Sequence, residues 1–265
     1  MLGVGFGTMQ VPFSYNPEGC VHFITGFNKS NFGAYISLKI AVYTSPFRPE
    51  SKSRGTALMA PPLPSEPVGI KLTNAASPDL VVEMFHDVCC PFSKKMYDTV
   101  YGAVIPKLEG QSKARTIEFL WQSVPQPWHA QSCCMHDAVM AAAILDRHKA
   151  SAYIFDVFAK QTNFFDDMAK DLSRVQIYDQ LAAIGAESGY DATALAGLLS
   201  LEGVQGNQGL GEVTQYLKWA VKYHRVRGVH VTPTVFINGT EAPDVSSGWS
   251  AEEWVENLLA ILGEN

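Results

Sequence analysis

Phe85-His86-Asp87-Val88-Cys89-Cys90-Pro91-Phe92-Ser93 joins two segments of different periodicity. Before it, Leu80 to Phe85 is a short apolar run of the kind that forms a buried strand. After it, Met96, Val100, Val104 and Leu108 recur at a spacing of four, which predicts a helix from Pro91 to about Leu108. Pro106 is expected to kink that helix or end it early. Cys90 therefore falls at a helix start, with Pro91 at the first helical position, where its missing N–H costs nothing. The unpaired amides and macrodipole of a first turn favour an anion. A thiolate is the nucleophile of disulfide exchange, so Cys90 is the leading candidate for chemistry. The plainer alternative is a small buried hydrophobe, a common fate of free cysteine. That alternative is preferred for Cys89, which strand alternation turns away from the helix start.

Farther along, Arg115 to Trp121 alternates, with Ile117, Phe119 and Trp121 on one face, and predicts a second strand. Helices are expected from Ser132, as cap, to about His148, and then near 151–165, 174–188, 192–201 and 209–226, with Asp191 capping the fourth. Val231 to Ile237 is a third strand candidate, although Pro233 lies inside it. Proline cannot donate to a strand ladder, so a reason is needed, and a cis Thr232–Pro233 bond would supply one. A trans proline on an edge strand is the alternative. Asn238-Gly239 signals a tight hairpin, with Glu241 to Val245 pairing back. Ser250 and Glu253 form a capping box for a last helix whose buried stripe is Trp254, Leu258 and Ile261. Strand–helix–strand implies parallel pairing through a right-handed crossover, and the hairpin adds antiparallel neighbours.

Two motifs, Phe85-x-Asp87-x-x-Cys90-Pro91-Phe92-Ser93 and Gly228-Val229-x-Val231-Thr232-Pro233-Thr234-Val235-Phe236-Ile237-Asn238-Gly239, make the sequence resemble the DsbA-like thioredoxin-fold family. These are thiol–disulfide oxidoreductases related to the kappa-class glutathione transferases. The resemblance covers about residues 69–262. It implies an α/β thioredoxin-like fold with a helical insertion at about 130–207. It also implies that Cys90 attacks disulfides and that the Thr232-Pro233 loop faces it and docks substrate, with Pro91 and Phe92 beside it. One position departs from the pattern: the usual second cysteine is Ser93. A Cys90/Ser93 site cannot resolve its own mixed disulfide, although Ser93 could donate a hydrogen bond to a Cys90 thiolate. Four outcomes are open. The site is a monothiol oxidoreductase using glutathione or another thiol, a distant cysteine resolves it, it is a glutathione-dependent transferase or isomerase, or it has lost activity. A non-catalytic thioredoxin-fold binding module is the alternative from outside enzymology. No bound cofactor is expected, with glutathione as a co-substrate.

Trp128-His129-Ala130-Gln131-Ser132-Cys133-Cys134-Met135-His136 is the other concentration of reactive side chains. His129, Cys133 and His136 lack the spacing of a zinc finger, and no metal site is assigned. Cys133 or Cys134 could resolve Cys90 only if the sulfurs come within bonding reach. Trp128 and His129 either line the active cleft or pack. His86 reads as an exposed strand-end histidine. Asp87 is either structural or a buried proton acceptor. Tyr216, Trp219, Tyr223, Trp249 and Trp254 read as packing.

The 265 residues carry a net charge of −6, are 47% hydrophobic and include five cysteines. That length buries a full core without disulfides. Residues 1–58 hold five basic and two acidic residues, net +3, and residues 59–265 hold 15 and 24, net −9, which together make −6. The acidic balance and lack of a basic stripe argue against nucleic acid, and no run approaches the ~20 apolar residues of a membrane span. The resemblance implies thiol or disulfide substrates as partners, and the oligomeric state is left open. Residues 1–58 lack helical or strand period and a signal-peptide pattern. They are expected to be a disordered extension, or translated upstream sequence with Met59 as the start, with an organellar import segment as the alternative. Residues 59–68 read as a Pro-rich linker and 69–265 as the domain. A free thiol at Cys90 suits a reducing compartment, so cytoplasm is expected.

Overall fold

The computed structural model describes residues 63–109 and 116–263. The expectations for residues 1–58, and for the first part of the linker, lie outside the described residues. In chain order the elements are β1 (Ile70–Lys71), β2 (Leu80–His86), α1 (Pro91–Thr99), a π-helical turn (Val100–Val104), α2 (Ile105–Glu109) and β3 (Ile117–Ser123). Then come α3 (Ser132–Leu145), α4 (Ala150–Ala159), a 3-10 turn (Gln161–Phe164), α5 (Asp166–Ala169), α6 (Arg174–Glu187), α7 (Ala192–Leu198) and α8 (Glu212–Val226). β4 (Thr234–Ile237), β5 (Thr240–Glu241) and α9 (Ala251–Ile261) close the chain.

The strands form one sheet in the order β1-β3-β2-β4-β5. β2 and β3 pair in parallel, with Leu80 opposite Ile117 and His86 opposite Ser123. β4 runs antiparallel to β2, with Phe85 opposite Thr234, which places the residue after Pro233 beside the end of β2. Leu80, Val82 and Met84 of β2 pack with Ile117, Phe119 and Val235 against Met96, Val100 and Val104 of the first helix and Trp254 and Leu258 of α9. A second apolar cluster is built mainly by α3, α4, α6 and α7 and takes in Trp121, Val88, Cys89 and Tyr97. The helices inserted between β3 and β4 are thus packed onto the turn that carries Cys90.

Several local expectations are corrected. Pro106 does not end the first helix. A π turn lies just ahead of it, with the Ile105 amide bonding back to the Val100 carbonyl, five residues earlier, and the chain stays helical to Glu109. The wider turn carries the ladder past a residue that has no N–H to give. Ser132 is the first residue of α3 rather than its cap; Gln131 holds the cap position, and the Ser132 hydroxyl is used elsewhere. The strand expected from Val231 begins only at Thr234, because the cis peptide bond at Thr232–Pro233 lies just before it. The return strand ends at Glu241, although the Ala242 amide still donates to Val235 O at 2.8 Å. Ile261 is about half exposed, so the stripe of α9 is Trp254 and Leu258. The Asn238-Gly239 turn is as read, with φ of 47° and 82° at its two residues. Both the Ser250/Glu253 capping box and the Asp191 cap form.

Candidate active site

Cys90 occupies the N-cap of α1 in extended conformation, with Pro91 following as the first helical residue. Its amide donates to Asp87 O at 2.9 Å, which closes the β2–α1 turn. The Sγ–H donates to Thr232 O at 3.5 Å, across the cis Thr232–Pro233 bond. The thiol and the proline loop, 142 residues apart in sequence, are therefore neighbours. They are neighbours because β4 pairs with β2 in a register that stops at Phe85 and Thr234. Cys90 is itself 5% exposed, but Phe92 and Val231 beside it are 64% and 61% exposed. Trp128, in the loop after β3, is exposed as well. Phe92 and Val231, close in sequence to Cys90 and Thr232, leave apolar surface in solvent that gains by being covered.

Ser93 is wholly buried, and its Oγ accepts the Asp87 amide at 3.3 Å. The hydrogen bond to Cys90 that the sequence suggested is not made among the described residues. Ser93 instead ties the first turn of α1 back to the end of β2. Pro91 lines a groove of about 190 Å³ together with Cys89, His129, Gln131, Phe165 and Asp166. Cys89 points into the insertion cluster, as alternation predicts, and burial followed by the Asp87 charge pushes its thiol up to about 12. Such a thiol holds its proton at any ordinary pH and does not compete with Cys90 as a nucleophile.

Asp87 organises the corner. Its carboxylate is fully buried and accepts the Cys89 amide at 2.9 Å, the Ser132 hydroxyl at 2.7 Å and the Gln126 amide at 3.1 Å. His129 Nδ1 donates to it at 2.7 Å, and His136 Nε2 stands 3.3 Å from it. His136 is held in turn by Ser123, whose hydroxyl lies 2.6 Å from Nδ1. Burial alone would raise the Asp87 pKa, but His136, and after it the bonds from His129 and Ser132, reverse this and hold it at about 2. Asp87 is thus a permanent anion that locks the β3–α3 loop onto the β2–α1 turn. This decides between the two roles the sequence left open: it is an acceptor of hydrogen bonds and keeps no proton to exchange.

His86 is corrected. It is completely buried, ring-to-ring with Tyr97 and Phe158, and neither ring nitrogen has a hydrogen-bond partner among the described residues. Burial, with a smaller push from His136, lowers its pKa to about 3, so it is neutral and apolar in effect. Two residues were invisible in the sequence. Gln161, from the 3-10 turn, donates to Val88 O at 2.9 Å and Cys90 O at 3.4 Å. Gln126 donates to His230 O at 3.4 Å, linking the Asp87 loop to the proline loop. A lone glutamine in a loop carries no periodic or motif signal.

Cys89, Cys90, Cys133 and Cys134 are all free thiols. Cys133 is exposed at the start of α3, and Cys134 lies against Arg174 and Tyr178. Among the described residues no three His, Cys, Asp or Glu side chains gather to hold a metal ion, and no helix is long and apolar enough to cross a membrane.

Comparison with solved structures bears on the fold. A candidate protein-disulfide isomerase from Pseudomonas syringae matches at 26% identity and TM-score 0.55, over 68% of this chain and 94% of its own. The chain has a DsbA-like thioredoxin fold. BdbD from Bacillus subtilis matches the DsbA-like chain at 16% identity and TM-score 0.52, over 72% of this chain and 93% of its own. DsbA from Mycobacterium tuberculosis matches at 16% and 0.50, over 75% and 94%. No protein-family model and no curated protein sequence matches.

Proposed function

We propose that this DsbA-like chain is a thiol–disulfide oxidoreductase working through one thiol, Cys90. The observation that carries this is the Cys90 sulfur at the start of α1, 3.5 Å from the Thr232 carbonyl of the cis-proline loop. An extended substrate segment laid beside Thr232 would present a sulfur to Cys90 from the open side. Phe92, Val231 and Trp128 would cover its apolar side chains. The solved Pseudomonas structure, described as a candidate protein-disulfide isomerase, supports the same class of chemistry.

Cys90 as thiolate attacks one sulfur of a substrate disulfide, forms a mixed disulfide and expels the other sulfur as a thiolate. With Ser93 where a second cysteine would stand, and Cys89 kept protonated by burial, the cycle calls for an outside thiol. An external small thiol of the glutathione class then attacks the mixed disulfide, takes the substrate sulfur and frees Cys90. Protein or glutathione mixed disulfides are both suitable substrates, and a reducing compartment such as cytoplasm keeps Cys90 ready.

The test is turnover of a mixed-disulfide peptide with glutathione as reductant. The wild-type protein is expected to turn over and to accumulate a Cys90 adduct when glutathione is withheld. Cys90→Ser is expected to do neither. Equal turnover by Cys90→Ser would reject the assignment.

A further inference from the structure

A site with one thiol must borrow its resolving thiol from solution, and a glutathione-type thiol is mostly protonated near neutral pH, with an ordinary pKa of ~8.5. Something must take that proton for the release step to be fast. The groove beside Cys90 contains a group built for it. His129 is about a quarter exposed, and its Nδ1–H is fixed by the buried Asp87 carboxylate at 2.7 Å. Its other nitrogen, Nε2, has no protein partner among the described residues. The ring lines the same groove as Cys89 and Pro91, the two residues flanking Cys90. A carboxylate on Nδ1 sets the tautomer in which Nε2 carries the lone pair, and it stabilises the imidazolium once Nε2 is protonated. The carboxylate is locked in place by three donors besides the two histidines, so the ring is held rather than merely touched.

Resting on the monothiol reading above, we propose that His129 is the catalytic base toward the external thiol, with Asp87 as its positioning residue. The thiol enters the groove and gives its proton to His129 Nε2. Its sulfur then attacks the substrate-side sulfur of the Cys90 mixed disulfide. A new sulfur–sulfur bond forms, the bond to Cys90 breaks, and the electron pair returns to Cys90 as thiolate. The proton on His129 passes to the thiolate expelled when the next disulfide is attacked. One disulfide and one thiol are consumed and one of each is produced, so no outside oxidant is needed.

The experiment loads Cys90 as its mixed disulfide with 2-mercaptoethanol and follows release by mass spectrometry. Release by glutathione is compared at about pH 7, where the thiol must lose a proton, and at about pH 10, where it is already ionised. His129→Gln, whose amide can still donate to Asp87, is expected to slow release at the lower pH about 100-fold, the usual worth of a general base. Release at the higher pH should change by less than about 3-fold on the same ground, and added imidazole should restore part of the rate at the lower pH. A structural defect would slow release at both pH values alike, so equal slowing, or none, overturns the proposal. His129→Asn is read by the same ratio if the Gln variant does not load. If the wild-type protein never loads at Cys90, the monothiol reading falls and this inference falls with it. Normal loading with an unchanged pH ratio defeats this inference alone.

Discussion

Two pairs of adjacent cysteines sit at helix starts, and only one pair faces a cis-proline loop among the described residues. Cys89-Cys90 opens α1, and Cys133-Cys134 opens α3. A helix start is common to both, so the dipole does not separate them. What differs is what faces the sulfur. Cys90 looks across at the carbonyl of a cis-proline loop, and Phe92 and Val231, close in sequence to the two partners, are exposed. Cys134 looks into a polar knot in which Tyr178 donates to Asp137 at 2.7 Å and Arg174 reaches Asp137 at 3.4 Å. Burial pushes the Cys134 thiol up in spite of Arg174, and burial with the Asp137 charge pushes Cys133 up. A helix start is common to both pairs; the facing cis-proline loop is not.

The largest effect expected from this contrast is on turnover. Cys90→Ser should remove at least about 1,000-fold of the activity, the scale on which nucleophile losses are felt. Cys133→Ser and Cys134→Ser should each leave it within about 3-fold, as groups outside the reacting unit do. A steady-state assay with glutathione reads both, and dependence on Cys133 would make it the resolving thiol.

Next come the two buried carboxylates that anchor the two corners. Asp87→Asn should cost about 3 kcal/mol in urea unfolding, since it strips the charge from a buried, paired network. The pH dependence should have opposite sign at the two sites. The Asp87 pKa is about 2 in the folded protein against an ordinary 3.8, so its contribution is complete above about pH 4 and is lost as pH falls towards 2. Burial raises Asp137 above 3.8 despite its bonds to Tyr178 and Arg174. Asp137 therefore opposes folding at neutral pH and ceases to as pH falls from its raised value towards 3.8. Stability curves of Asp87→Asn and Asp137→Asn, measured from pH 7 down to 2, should diverge from the wild type in these opposite senses.

The smallest effect separates a helix start used for chemistry from one used for stability. Ser250 caps α9 by accepting the Glu253 amide at 3.2 Å, whereas Cys90 makes no side-chain cap bond. Ser250→Ala should cost about 1 kcal/mol. Cys90→Ala should cost less than the loss of a full cap, visible as a smaller drop in unfolding midpoint.

The sequence shows the fold where its signals are local. Pro91 after Cys90, the Asn238-Gly239 turn and the Ser250/Glu253 box each act within four residues, and each forms. The Cys90–Thr232 pairing was legible through two motifs whose order matched a known arrangement. The Asp87 network was not. Its partners Gln126, His129, Ser132 and His136 lie about 40 to 50 residues away and are brought in by the β2–β3 register and the β3–α3 loop, which no periodicity encodes. His86 failed for the same reason: a strand end is exposed by default, and only Tyr97 of α1 and Phe158 of α4, converging on it, make it core. Pro106 does not end its helix early, because a π turn just ahead of it carries the ladder past the missing donor.

The central claim is that one thiol of the four at these two helix starts is the nucleophile. The folded protein, treated at neutral pH with a limiting amount of a disulfide probe and digested, should carry the mixed disulfide on Cys90. Cys89, pushed up to about 12, should stay unmodified, and Cys133 and Cys134 should react only after Cys90 is filled. Preferential labelling of Cys133 or Cys134, or none at Cys90, would contradict the account.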